Sequence, residues 1–142
     1  MSEENKALVR RELEEIFNEG KLELADELLA SDYTVHDSAL AEPVHGIAGF
    51  KRLRASYHDA SSDAHTTIDD MIAEGDKVVT RWTTWGTHDR GEMMGVPPTR
   101  RRIEVTGRTV NRISGGRIAE DWTMWDSLGL LRQLGAAPDP GQ

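Results

Sequence analysis

The 142-residue chain contains no cysteine. A disulfide framework, a thiolate metal site and a cysteine nucleophile are therefore all excluded. It lacks any apolar run near the roughly 20 residues that a membrane span requires. It also lacks a basic excess: 17 lysines and arginines face 25 aspartates and glutamates, a net charge of −8, which argues against nucleic acid as a partner. The histidines at positions 36, 45, 58, 65 and 88 lie in separate segments with no paired-ligand spacing, so no metal is expected. The glycines form neither GxGxxG nor a phosphate loop. The first residues, MSEENKALVRREL, are acidic and polar, unlike a secretory leader. A soluble cytoplasmic protein acting on neither membrane nor nucleic acid is expected, as one domain over 1–142 with a core of about 5–136 and a frayed tail over 137–142.

Val9, Leu13, Ile16 and Phe17 carry the spacing of an amphipathic helix, and Gly20 follows as its stop. Leu24, Ala25, Leu28 and Leu29 predict a second, shorter helix ending near Ser31-Asp32. Ile47, Phe50, Leu53 and Tyr57 predict a third after Pro43, with a short apolar segment, Tyr33 to His36, between them. The period then changes. His65 to Ala73, Val78 to His88, Arg101 to Ile113 and Arg117 to Trp125 read as strands, joined by turn signals at Glu74-Gly75-Asp76-Lys77 and Ser114-Gly115-Gly116. Leu128, Leu130, Leu131 and Leu134 predict a closing helix capped by Asp126 or Ser127. Helices followed by long antiparallel strands make an α+β pattern, here a curved sheet around its helices with an internal pocket.

The run Gly75-Asp76-Lys77-Val78-Val79 with Arg81-Trp82 resembles the SnoaL-like polyketide (ester) cyclases of the NTF2-like superfamily. So do Gly86-Thr87-His88, Met94 to Thr99, Gly116-Arg117-Ile118 with Glu120-Asp121-Trp122 and Asp126, and Leu130 to Gly135. The resemblance, over roughly residues 5 to 136, implies an α+β cone with a deep apolar pocket. It implies a homodimer through the outer face of the sheet, and ring closure of an aromatic polyketide ester by an aspartate and a histidine with no metal or organic cofactor. On the last strand the family aspartate falls at Thr123, and the histidine of the preceding strand falls close to Thr109. A threonine hydroxyl cannot act as a base near neutral pH, so the acid/base group has moved or the activity is lost.

Alternation places Asp121, Thr123 and Trp125 on one face, and Trp82, Thr84 and His88 on one face of the strand from Val78. Asp121 among indole rings is the candidate base, its competing role being an ion pair with Arg108 or Arg112. His88 is the candidate acid, its alternative a solvated strand end. Thr84, Thr109 and Thr123 would supply hydroxyls, Trp82 and Trp125 apolar walls, and Tyr33, His36 and Met94 further contacts with a hydrophobic small molecule. NTF2-like chains often contribute a pocket residue where His36 and Asp37 stand; Asp37-Ser38 starting a turn is the alternative. His45, His58 and His65 are expected to be exposed. The loop from Glu92 to Pro98 is either an adaptable lid or a rigid connection. Two functions remain open: a cofactor-independent cyclase or isomerase, and a non-catalytic binding protein on the same fold. An epoxide hydrolase is set aside, because its Asp–Arg–Asp set would fall on Thr84, Trp82 and Thr123.

Overall fold

The N-terminal stripe forms α1 (Ser2–Arg11), which widens into a π-helical segment over Glu12–Asn18. The computed structural model describes residues 2–138. In the wider turns Glu12, Ile16 and Phe17 all face inward, although a straight α-helix would spread them over a broader arc. Gly20, at φ 74°, ends the segment.

A short 3₁₀ turn, Leu22–Leu24, leads into α2 (Ala25–Leu28). The chain becomes extended at Leu29, earlier than the helical spacing predicts, because Leu29 to Asp37 joins the sheet as β1. β1 runs parallel to the last strand, Leu29 opposite Ile118 and Asp37 opposite Thr123. The apolar segment between the helices is thus a strand, and the sheet carries one parallel pair. Tertiary pairing of this kind overrides a local helix propensity.

β2 (Val44–His45) pairs with β1 and leads into α3 (Gly46–Ala60). The long strands are β3 (His65–Glu74), β4 (Lys77–Thr87), β5 (Arg102–Ser114) and β6 (Arg117–Trp125). Gly115 and Gly116 both take positive φ, 58° and 77°, which is the turn geometry that joins β5 to β6 without splaying them. α4 (Ser127–Gln133) closes the chain, with Asp126 Oδ1 accepting from the Gly129 amide at 2.8 Å. Of the tail expected over 137–142, residues 139–142 lie outside the described residues.

The six strands form one curled sheet in the order β2-β1-β6-β5-β4-β3, so the expected α+β cone is the architecture. Its narrow end is packed by Val9, Ile16, Leu28, Leu29, Phe50 and Ile118. Each such side chain contributes about 1.5–3 kcal/mol by leaving water. A second cluster, Ile103, Val105, Leu130 and Leu134, seats α4 against β5 and leaves the middle of the cone open. No helix among the described residues is long and apolar enough to cross a membrane.

Candidate active site

Between the inner face of the sheet and the helices lies a chamber of about 500 Å³. Its floor is a polar cluster buried among apolar side chains. Asp121 on β6 is 2 % exposed and accepts hydrogen bonds from the Tyr33 hydroxyl on β1 and the Asn111 amide on β5. Its predicted alternative partners lie elsewhere: Arg112 pairs with Glu120 at 3.2 Å on the outer face. Burial first, then the charge of Glu12, pushes the Asp121 carboxyl up from 3.8 to about 7; Tyr33, Arg54 and Asn111 offset part of this.

Glu12 is itself buried, and Arg54 Nη2 on α3 stands 2.8 Å from it. The guanidinium lies 5.1 Å from the Phe50 ring centre and 5.5 Å from that of Phe17. Burial alone would favour neutral Arg54, but the Glu12 carboxylate outweighs it and keeps the guanidinium charged. The Tyr33 phenol is held far above its ordinary value, by burial first and by Asp121 second.

Tyr33 and Arg54 line the chamber, whereas Asp121 does not: it sits behind Tyr33. Above the floor the wall is hydroxylic. Thr123 and Thr109 lie directly opposite one another in the β5–β6 register and share a hydrogen bond of 3.1 Å. Trp82 Nε1 donates to Thr109 at 3.1 Å, and Thr84 bonds Thr66 at 2.7 Å. Trp82, Thr84, Thr109, Thr123, Trp125 and Met94 all line the chamber, with Val35, Phe50, Leu53 and Val105 between them. Strand parity read from the sequence accounts for Trp82, Thr84, Thr123 and Trp125 on this side of the site.

Two predicted members are elsewhere. His88 is fully buried, but against its own loop. Nε2 donates to the Gly91 carbonyl at 2.7 Å, and Nδ1 accepts from the Thr99 amide at 3.3 Å. Both ring nitrogens are engaged and the ring does not line the chamber, so neither the acid role nor the solvated strand end describes it. β4 ends at Thr87, one residue before the parity row would have carried His88 inward. His36 lies on the outer face, because Tyr33, Val35 and Asp37 take the inner one. It stacks on Trp122 with ring centres 5.6 Å apart, and its Nε2 is 2.7 Å from Glu120. Of the remaining histidines, His45 and His65 are exposed as expected. His58 is half-buried against the Phe17 ring, at 5.6 Å.

The residues that sequence reasoning left out are Glu12, Arg54, Tyr57 and Asn111 as polar members of the site. Asn111 was within reach of parity, since it lies two residues beyond Thr109 on β5. Arg54, four residues after Phe50 on α3, shares the inward face of that helix. Glu12, three residues after Val9 and four before Ile16, borders the apolar stripe of its helix, and the π-helical turns narrow the arc that holds it with Ile16 and Phe17. Asp37 fulfils both readings offered for it: Oδ1 accepts the Ala39 amide at 2.8 Å, the hydrogen bond of an Asx turn, and the carboxylate also lines the chamber. Tyr57 faces the same space, its phenol raised by burial first and also by the neighbouring Asp37 charge. Among the described residues, no three His, Cys, Asp or Glu side chains are grouped to hold a metal ion.

Several solved structures share this architecture. A SnoaL-like candidate polyketide cyclase of Jannaschia sp. CCS1 superposes with a TM-score of 0.87 at 22% identity, covering 96% of this chain and 95% of that one. TsrD of Streptomyces laurentii is 32% identical, with a TM-score of 0.84 over 95% of this chain and 97% of its own. IdmH of Streptomyces antibioticus, a candidate polyketide cyclase, is 33% identical with a TM-score of 0.79, covering 92% and 98%. No curated protein sequence matches the chain. The family model described as SnoaL-like polyketide cyclase matches residues 7–134, nearly the whole length of the cone and every wall of its chamber. The chain belongs to the SnoaL-like polyketide cyclase family.

Proposed function

We propose that the chain is a cytoplasmic, cofactor-independent cyclase or isomerase, working as one domain on a hydrophobic, carbonyl-bearing small molecule of polyketide-ester type. The observation that carries this reading is the chamber itself: aromatic and aliphatic walls suited to a flat apolar ligand, with convergent hydroxyls and, behind the Tyr33 floor, a carboxyl of raised pKa. Asp121 acts through Tyr33. When the carboxyl holds its proton it can donate to the Tyr33 oxygen, which frees the phenolic O–H for a substrate carbonyl and for the negative charge that grows there on enolisation. Thr109 and Thr123 offer further donors, and Trp82 and Trp125 hold the ring system. His88 fixes the loop that carries Met94 rather than meeting the substrate.

The test is turnover of an aromatic polyketide methyl ester, followed by absorbance, beside Asp121→Asn and Tyr33→Phe. Ring closure that drops in both variants supports the reading. A second reading has its own observation: at the two places where the family resemblance puts an aspartate and a histidine, this chain carries Thr123 and Thr109, hydrogen-bonded to each other. On that reading the chain binds an apolar ligand without changing it, and the ester is recovered intact from a bound complex.

Assembly is proposed from the outer face of the sheet. Ile72, Val79, Val110 and Trp122 are successive partners across β3, β4, β5 and β6, an apolar row with Ile72 61 % and Trp122 38 % exposed. It is bordered by Arg81 and Arg108 on one side and by Lys77, Arg112 and Glu120 on the other. A second copy of the chain would cover that row. Sedimentation equilibrium should give twice the chain mass for the wild type and the single mass for Val79→Glu; a wild type that stays monomeric refutes the dimer.

A further inference from the structure

Within the enzymatic reading above, the chamber still needs a group that removes a proton from the substrate. Threonine hydroxyls cannot do so near neutral pH. Asp121 stands behind Tyr33, off the chamber wall. Of the two carboxylates that line the space, Glu92 lies on the exposed loop at its mouth. The other is Asp37.

We infer that Asp37 is the catalytic base of this chain, a carboxylate carried on β1 beside the β6 position that holds Thr123. Three observations converge. First, the parallel register sets Asp37 directly opposite Thr123, and Thr123 opposite Thr109, so the carboxylate stands one strand away from the hydroxyl pair and on the same wall. Second, it is oriented: Oδ1 accepts the Trp125 indole N–H at 2.9 Å and the Ala39 amide at 2.8 Å. Both of these hydrogen bonds fall on one oxygen, which leaves Oδ2 to the Tyr57 phenol and the chamber. Third, it is supported, since Trp125 is itself a wall of the chamber and the Tyr57 phenol stands next to the carboxylate. A ligand lying against Trp125 therefore meets the carboxylate that Trp125 holds.

The step balances without any co-reactant. Asp37 Oδ2 takes the proton from the carbon beside the substrate carbonyl. The C–H electron pair becomes the enolate double bond, and the charge moves to the carbonyl oxygen. In a ring closure the enolate carbon attacks a second carbonyl of the same molecule, and the alkoxide so formed takes the proton back from Asp37. In an isomerisation the proton returns to a different carbon. In both cases the carboxylate is regenerated.

The test uses two small probes with the intact chain. Deuterium uptake from D₂O at the activated methylene of 2-tetralone, followed by NMR, reads proton abstraction alone. Fluorescence of bound 2-naphthol, which mimics the enol, reads the integrity of the chamber. Asp37→Asn keeps an oxygen acceptor for Trp125 and Ala39, so it removes the base with little else. It should lower enzymic exchange by about 10²- to 10⁴-fold while 2-naphthol still binds, and Asp37→Glu should recover part of the rate. Exchange that survives Asp37→Asn overturns the assignment, and so does a loss of naphthol binding in both the Asn and Glu variants, which would mark Asp37 as structural. A wild type that binds 2-naphthol but exchanges no faster than buffer overturns the enzymatic reading, and this assignment with it.

Discussion

Replacing Asp121 by asparagine should change how stability depends on pH, in a direction opposite to that seen for carboxylates held ionised by ion pairs. Asp121 is 2 % exposed, and the groups around it come from four elements: Glu12 from the N-terminal helix, Tyr33 from β1, Arg54 from α3 and Asn111 from β5. Burial and the negative charge of Glu12 raise its carboxyl from 3.8 to about 7, so the folded chain holds this proton more tightly than the unfolded one. Below about pH 4 the group is protonated in both states and costs nothing. From there to about pH 7 the unfolded state ionises while the folded state resists, and stability drains away. Above about pH 7 the loss is complete and constant. At about 1.4 kcal/mol per pKa unit, the full loss is about 4 kcal/mol.

An asparagine at this place does not titrate. Its oxygen can still accept from Tyr33, and its amide can donate to Asn111 Oδ1, a buried atom that has no partner in the wild type. Urea melts of the two proteins across that pH range should show the variant gaining on the wild type as pH rises from about 4 to 7, with the gap level beyond. Carboxylates that do not interact with Asp121 cancel in that difference. Parallel profiles, or a gap that closes with rising pH, would refute the assignment of a neutral Asp121.

Arg54→Met leaves the buried Glu12 carboxylate without its cation and should cost about 3–5 kcal/mol in thermal melts, much of it recovered when Glu12→Gln is added. Gly107→Ala places a methyl group against the Trp82 ring and 2.8 Å from Trp125 Cβ. It should cost about 1–3 kcal/mol and shift both tryptophan emission and ligand affinity, because the indoles that wall the chamber must move. His88→Ala removes the ring that ties Gly91 to Thr99 and should cost about 2–4 kcal/mol, with proteolysis appearing first between residues 91 and 99. Turnover should then fall through loss of the folded loop, and unchanged protease resistance would refute that role.

What could be read from the sequence follows from where local pattern and tertiary pairing agree. β6 was legible to the residue, Arg117–Trp125, because a two-glycine turn fixes its start and alternation fixes its faces. The same alternation put Thr123 and Trp125 on one face of β6 and Trp82 and Thr84 on one face of β4, while Thr109 was reached through the family resemblance. β1 was not legible: its first residue completes a helical stripe, and only the parallel pairing of Leu29 with Ile118 takes it into the sheet. His88 was misplaced for a related reason. Parity is a property of a strand, and it lapses when the strand ends at Thr87 and the chain folds back on itself through the His88 and Arg101 backbone pair. Glu12 was passed over because it is charged: its spacing from Val9 and Ile16 borders the stripe, but only its pairing with Arg54 makes its burial intelligible.

On the proposed function, the two threonines bear on how this chamber would do chemistry. On a curled sheet, residues directly opposite one another on neighbouring strands lie within about 4.5–5.5 Å. A carboxylate shifted from β6 to β1 at the same register level therefore still reaches the same ligand, approaching it from a slightly different side. The shift also changes what surrounds the carboxylate. On β6, Thr123 is two residues from the buried Asp121, and a second carboxylate there would stand near an existing one and disfavour its ionisation. On β1, Asp37 Oδ1 accepts from two N–H donors, one of them from a wall of the chamber. On the proposed function, Asp121 behind Tyr33 and Asp37 beside Trp125 are separate groups, one placed to support the substrate oxygen and the other to meet a substrate proton. A reaction of the proposed kind, which takes a proton from carbon and steadies the charge left on oxygen, is served by that separation, with the threonine pair standing beside Asp37 in the register.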